Sequence, residues 1–155
     1  MIVRPKFIQL ITLSALVVVA TVIAACSSEE EATIEKAEAS GKLVSSDWML
    51  ENLDNEDVVV VDLRKEEDYA AGHIPGAIQR TPKAVFQQED ENGVAGMLPA
   101  AAHIATALSE LGIEPSDTVV FYDSNSNLWA SRALWAMDVY GHSDSKLIDG
   151  SWNYW

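Results

Sequence analysis

Thr118-Val119-Val120-Phe121-Tyr122-Asp123-Ser124-Asn125-Ser126-Asn127-Leu128-Trp129-Ala130-Ser131-Arg132 decides how the rest of the chain is read. Its first five residues are β-branched or aromatic with no polar alternation, the pattern of a strand buried on both faces. A short polar stretch follows, and a helical pattern then runs over residues 127–140 and stops at Gly141. A strand that feeds through a loop into a helix is half of a parallel crossover. Working outward, residues 57–62 are a second unalternating β-branched run, followed by a short charged helix over 65–71 and turn chemistry at Gly72-His73-Ile74-Pro75-Gly76-Ala77. Short strands are expected over 42–45, 77–79 and 146–148. A helix over 48–53 would be capped by Ser46 or Asp47, which supply an acceptor for free backbone N–H groups. Residues 100–111 space Ile104, Leu108 and Leu111 along one helical face and stop at Gly112. Residues 82–99 are polar, with one helical turn near Val85-Phe86, and carry no legible chemistry. Strands alternating with helices predict an α/β fold, a mostly parallel sheet covered by helices on both faces.

The chain has 155 residues, ten Lys and Arg against twenty-four Asp and Glu, and a net charge of −14. That balance excludes nucleic acid, whose phosphates require clustered cations. One cysteine, Cys26, rules out an internal disulfide, and a metal site would have to be built from His and carboxylates. His73, His103 and His142 show no ligand spacing, and no cofactor motif is present.

The N-terminus carries a targeting pattern. Arg4 and Lys6 precede residues 7–25, apolar apart from Gln9, Thr12, Ser14 and Thr21, as in a secretory leader. The leader ends Val22-Ile23-Ala24-Ala25-Cys26, which resembles a bacterial lipobox. Residues 1–25 are therefore expected to be a lipoprotein signal peptide, Cys26 the lipid-attachment site, and the domain extracytoplasmic. An uncleaved membrane anchor is the alternative. Residues 26–41 are acidic and poor in large apolar side chains, and read as a tether, or as a short solvated helix over 32–39 that would serve as a spacer.

In open α/β sheets, ligands bind beyond the carboxyl ends of strands, where the next helix offers free N–H groups. Asp123, Ser124, Asn125, Ser126 and Asn127 occupy that place and are the candidate anion-binding loop. The order of segments here resembles the rhodanese-like sulfurtransferases, and in particular the first module of the two-module thiosulfate and mercaptopyruvate enzymes. Val61-Asp62-Leu63-Arg64 with Glu67, Tyr69 and Gly72-His73-Ile74-Pro75-Gly76-Ala77 is similar to that family's first signature. Val120-Phe121-Tyr122-Asp123, Ala130-Ser131-Arg132 with Trp135, Tyr140-Gly141-His142 and Leu147-Ile148-Asp149-Gly150-Ser151-Trp152 follow in family order. The resemblance implies a three-layer rhodanese-like sandwich over 42–155, with a final helix begun at the last residues. It also implies transfer of sulfane sulfur from thiosulfate or 3-mercaptopyruvate to a thiophilic acceptor, through a persulfide on a loop cysteine. Asp123 stands where that cysteine would be, as is typical of the non-catalytic first module, and the catalytic site would lie in a second module beyond Trp155. A carboxylate cannot carry sulfane sulfur, and would compete for the loop's N–H groups. Ser151 departs from the family's usual second glycine.

Arg132 is either an anion-binding group, as the resemblance implies, or a salt-bridge partner of one of the many acids. Asp62, Arg64 and Glu67 are expected to form a structural ion-pair cluster, and His73 a turn hydrogen bond rather than a proton relay. Trp129, Trp135, Trp152 and Trp155 are expected in the core or covered by a second module. The competing reading is a complete, non-catalytic, surface-tethered binding module. A cysteine-phosphatase reading fails on the same missing thiol.

Overall fold

The computed structural model describes residues 41–155. The leader over 1–25, Cys26 and all but the last residue of the 26–41 tether lie outside these described residues.

Five parallel strands form one sheet in the order β1-β5-β4-β2-β3, with β1 Leu43–Val44, β2 Val58–Asp62, β3 Ile78–Gln79, β4 Thr118–Tyr122 and β5 Ser145–Ile148. β4 and β2 are the long central pair, in register from Val58 opposite Thr118 to Asp62 opposite Tyr122. Successive side chains of a strand point to opposite faces, so an all-apolar strand must be covered on both. Val119 and Phe121 enter one core while Val120 and Tyr122 enter the other, and all four are fully buried.

The first core is covered by α3 (Pro82–Val85), α4 (Ala101–Glu110) and α5 (Leu128–Val139). Ala130, Ala133 and Ala136 have no exposed surface and bring α5 close to the sheet. The second core is covered by α1 (Ser46–Glu51), α2 (Glu66–Ala71), the 74–77 turn and a final 3-10 turn, Ser151–Tyr154. The expected α/β architecture holds, with every strand pair parallel.

Several boundaries moved for local reasons. The first helix is capped by Ser45, whose hydroxyl accepts from the Trp48 N–H at 3.1 Å, and not by Ser46 or Asp47, which lie inside it. Residues 151–154 form a 3-10 turn where the start of a longer helix was expected. The 82–99 stretch is more ordered than its composition suggested: α3 occupies its start, and Gln88 and Met97 pair across an antiparallel bridge. The 74–77 turn follows its sequence: Ala77 N–H donates to Ile74 C=O at 3.0 Å, Pro75 sits at the second position, and Gly76 has φ of +79°. That is the geometry of a type II turn, which needs the left-handed residue at the third position.

Candidate functional site

β2 continues through α2 onto one face of the sheet, and β4 continues through α5 onto the other. Chains leaving adjacent strands in opposite directions open a crevice at their carboxyl ends. Asp62, Arg64 and the 123–127 loop meet there.

The loop does not present an empty ring of amides. Asp123 is 1% exposed, and its carboxylate accepts four backbone hydrogen bonds. Oδ1 takes the N–H groups of Asn125 at 2.8 Å and Asn127 at 2.9 Å. Oδ2 takes those of Trp129 at 2.7 Å and Ala130 at 3.1 Å, in the first turn of α5. These are the orphan donors of a helix start, whose dipole also favours a negative charge. Ser126 and Asn127 hold φ of +54° and +64°, a left-handed pair that turns the amides inward. Such conformations cost about 1–3 kcal/mol per residue and persist only where surrounding bonds enforce them.

The loop is also fastened from below. Ser151 Oγ, fully buried, accepts from the Asp123 N–H at 2.8 Å and donates to the Asp123 C=O at 2.6 Å. Trp152 N–H donates to the same carbonyl at 3.0 Å. Asn127 Nδ2 donates to Ile148 C=O at 2.8 Å, while its Oδ1 is buried without a partner. Ser151 itself has φ of +58°.

On the β2 side, Arg64 closes on Asp62 with Nη2 to Oδ2 at 2.6 Å and Nε to both carboxylate oxygens at 3.0 and 3.1 Å. Its Nη2 also donates to Gly72 C=O at 2.7 Å, and its guanidinium stacks 3.9 Å above the Trp152 ring. Tyr122 O–H donates to Asp62 Oδ2 at 2.5 Å and accepts from the Ile74 N–H at 3.2 Å. Burial, reinforced by the carboxylate it donates to, raises the Tyr122 phenol above its ordinary pKa.

The structure thus brings Asp62, Arg64, Tyr122, Asp123, Ser151 and Trp152 to one place. It leaves other expected residues outside. Glu67 does not join Asp62 and Arg64: it is exposed, 3.7 Å from Lys65, because α2 carries it away from the strand end. Arg132 makes no ion pair among the described residues. Its Nη2 donates to Gly96 C=O at 2.8 Å, its Nε to Phe86 C=O at 3.4 Å, and it stacks 4.6 Å from Trp135, so it ties the 86–97 loop to α5. Ser124, Asn125 and Ser126 have exposed side chains. His73 makes the expected turn contact, Nδ1 to Tyr69 C=O at 3.0 Å, with its ring stacked on Tyr69. Trp152 and Trp155 pack on the second core as expected, but Trp129 and Trp135 are 40% and 46% exposed. Tyr122 was missed as a site residue because a Tyr closing an apolar run looks like core until its register partner, Asp62, is known.

A family model described as the rhodanese-like domain matches residues 45–155. The chain belongs to the rhodanese-like family. It is 38% identical over 114 residues to a putative thiosulfate sulfurtransferase of Saccharopolyspora erythraea, covering 73% of this chain and 39% of that protein. It is 37% identical over 99 residues to a thiosulfate sulfurtransferase of Pseudomonas aeruginosa, covering 64% of this chain and 36% of the relative. The crystal structure of the 3-mercaptopyruvate sulfotransferase SseA from Escherichia coli superposes with a TM-score of 0.64 at 28% identity, over 75% of this chain and 47% of that one. This rhodanese-like chain spans about two fifths of the length of the curated relatives it matches.

Proposed function

We propose that this chain is the first, non-catalytic module of a two-module thiosulfate/3-mercaptopyruvate-type sulfurtransferase, exported and held at a bacterial membrane through lipid on Cys26. The observation that carries the reading is Asp123. Sulfane sulfur transfer needs a thiolate that attacks the donor's outer sulfur and then releases it from a persulfide. The loop position suited to that nucleophile holds a buried carboxylate already saturated by four amides. The chain's single cysteine lies at residue 26, in the leader pattern. The partial coverage of longer thiosulfate sulfurtransferases supports a missing partner module that would supply the cysteine. Arg64, Asp62 and Tyr122 then act as a frame, and the sulfur donor and thiophilic acceptor belong to the partner module.

Three measurements test this. Reading the gene past Trp155 is expected to find a cysteine-bearing loop in a second rhodanese-like module, and an immediate stop codon would refute the two-module reading. Purified residues 42–155 are expected to give no thiocyanate from thiosulfate and cyanide, and turnover would refute the non-catalytic assignment. Cys26→Ser is expected to abolish palmitate labelling and membrane retention in cells; retained labelling would refute the anchor.

A further inference from the structure

We propose that residues 123–130 are a built anion site whose occupant is the chain's own Asp123 carboxylate, and that this internal plug closes the module to free oxyanions. The inference rests on the non-catalytic reading and adds why the loop keeps its shape. Four N–H groups from two loop residues and two helix residues converge within 2.7–3.1 Å on a group with 1% exposure. Ser126 and Asn127 hold left-handed backbone to aim them. A carboxylate is the anion those donors fit, and because it is covalently attached, a free competitor must displace it against a very high effective concentration. Ser151 keeps the plug seated, since its hydroxyl bridges both backbone groups of Asp123 and lies 3.3 Å from Oδ1. The aspartate and the non-glycine residue at 151 are thus one device.

The test is chemical rescue on the purified domain, residues 42–155. Asp123→Ala removes the carboxylate and leaves a void the size of formate; Asp123→Gly leaves one that acetate fills. Both variants are expected to melt below the unsubstituted domain. Formate should raise the melting temperature of the alanine variant, and acetate that of the glycine variant. Equal concentrations of chloride should do neither, and the unsubstituted domain should respond to none of these anions. Absence of anion-specific stabilisation, or equal stabilisation of the parent, would overturn the proposal. If these variants do not fold, Asp123→Asn supplies the readout, because an amide presents N–H groups to donors that previously met a carboxylate. Hydrogen exchange at Asn125, Asn127, Trp129 or Ala130 should then accelerate by about tenfold or more, and unchanged exchange at all four would overturn the proposal. Sulfur transfer by the parent domain would instead sink the non-catalytic reading and leave the rescue result standing.

Discussion

Replacing Tyr122 with Phe isolates one oxygen atom. The ring is fully buried in the second core and stacked on Trp152, and Phe fills the same space, so no cavity opens and nothing is overpacked. What disappears is the hydroxyl that donates to Asp62 and accepts from the Ile74 N–H. Ile74 is fully buried, and an unpaired buried donor costs about 1–3 kcal/mol. A hydrogen bond to a charged group is worth about 1.5–3 kcal/mol. Asp62 keeps its contacts to Arg64, so the two costs overlap, and the expected loss is about 2–4 kcal/mol. Urea unfolding should show the midpoint falling with the slope unchanged. A loss below about 1 kcal/mol would refute the view that this hydroxyl is a structural hub. The pH dependence gives a second check. The phenol's pKa is raised in the folded state by burial and then by Asp62, whereas the unfolded tyrosine ionises near about 10. Its contribution is therefore fully present below about pH 10 and is lost as pH rises from there toward the higher folded value. The stability difference between the parent and Tyr122→Phe should narrow above about pH 10; a constant difference would contradict the geometry.

Arg64→Met leaves the Asp62 carboxylate buried without its cation and should cost about 3–5 kcal/mol by urea unfolding. Gly150→Ala places a methyl 2.3 Å from the Tyr154 ring and 2.7 Å from its Cβ at φ of +73°, and should destabilise the domain measurably, with Tyr154→Gly relieving only the steric part. Asp123→Cys should form no persulfide with thiosulfate detectable by mass spectrometry, because a thiol at a position with 1% exposure is out of the donor's reach. Trp135→Ser should cost no more than about 1 kcal/mol, since the ring is half-exposed and its described partner is the Arg132 guanidinium.

The strands and their parallel pairing were legible because residues 58–61 and 118–122 have no polar alternation, which only a sheet covered on both faces tolerates. The loop was legible as a place, and an acid at 123 was expected to take up its N–H groups. That Asp123 would saturate the donors was not, because local sequence does not specify how far a side chain folds back on its own loop. The contacts of Arg132 were hidden for a related reason. Its position after the loop suggested an anion or an acid, and the carbonyl oxygens that the 86–97 segment brings to its guanidinium come from a distant stretch of sequence. Glu67 was grouped with Asp62 and Arg64 by sequence proximity, yet the helix start at Glu66 turns it outward. Ser151 stood out only as a departure from a pattern, and its role depends on β5 delivering it beneath β4, a contact across 28 residues.

The sheet order has a consequence for how the domain is made. β1 is the earliest strand, yet its described sheet partner is β5, with Leu43 opposite Leu147 and Val44 opposite Ile148. Until the ribosome has added about a hundred further residues, that strand has no edge to join, while the β2, β3 and β4 ladders can already assemble. Such distant pairing slows closure and leaves Leu43 and Val44 without their β5 ladder in the interim. The same late stretch carries Ser151 and Trp152, so the acid at 123 is fastened only as the domain closes. A nascent chain paused before residue 148 would hold both central strands and still lack the clasp that seals them.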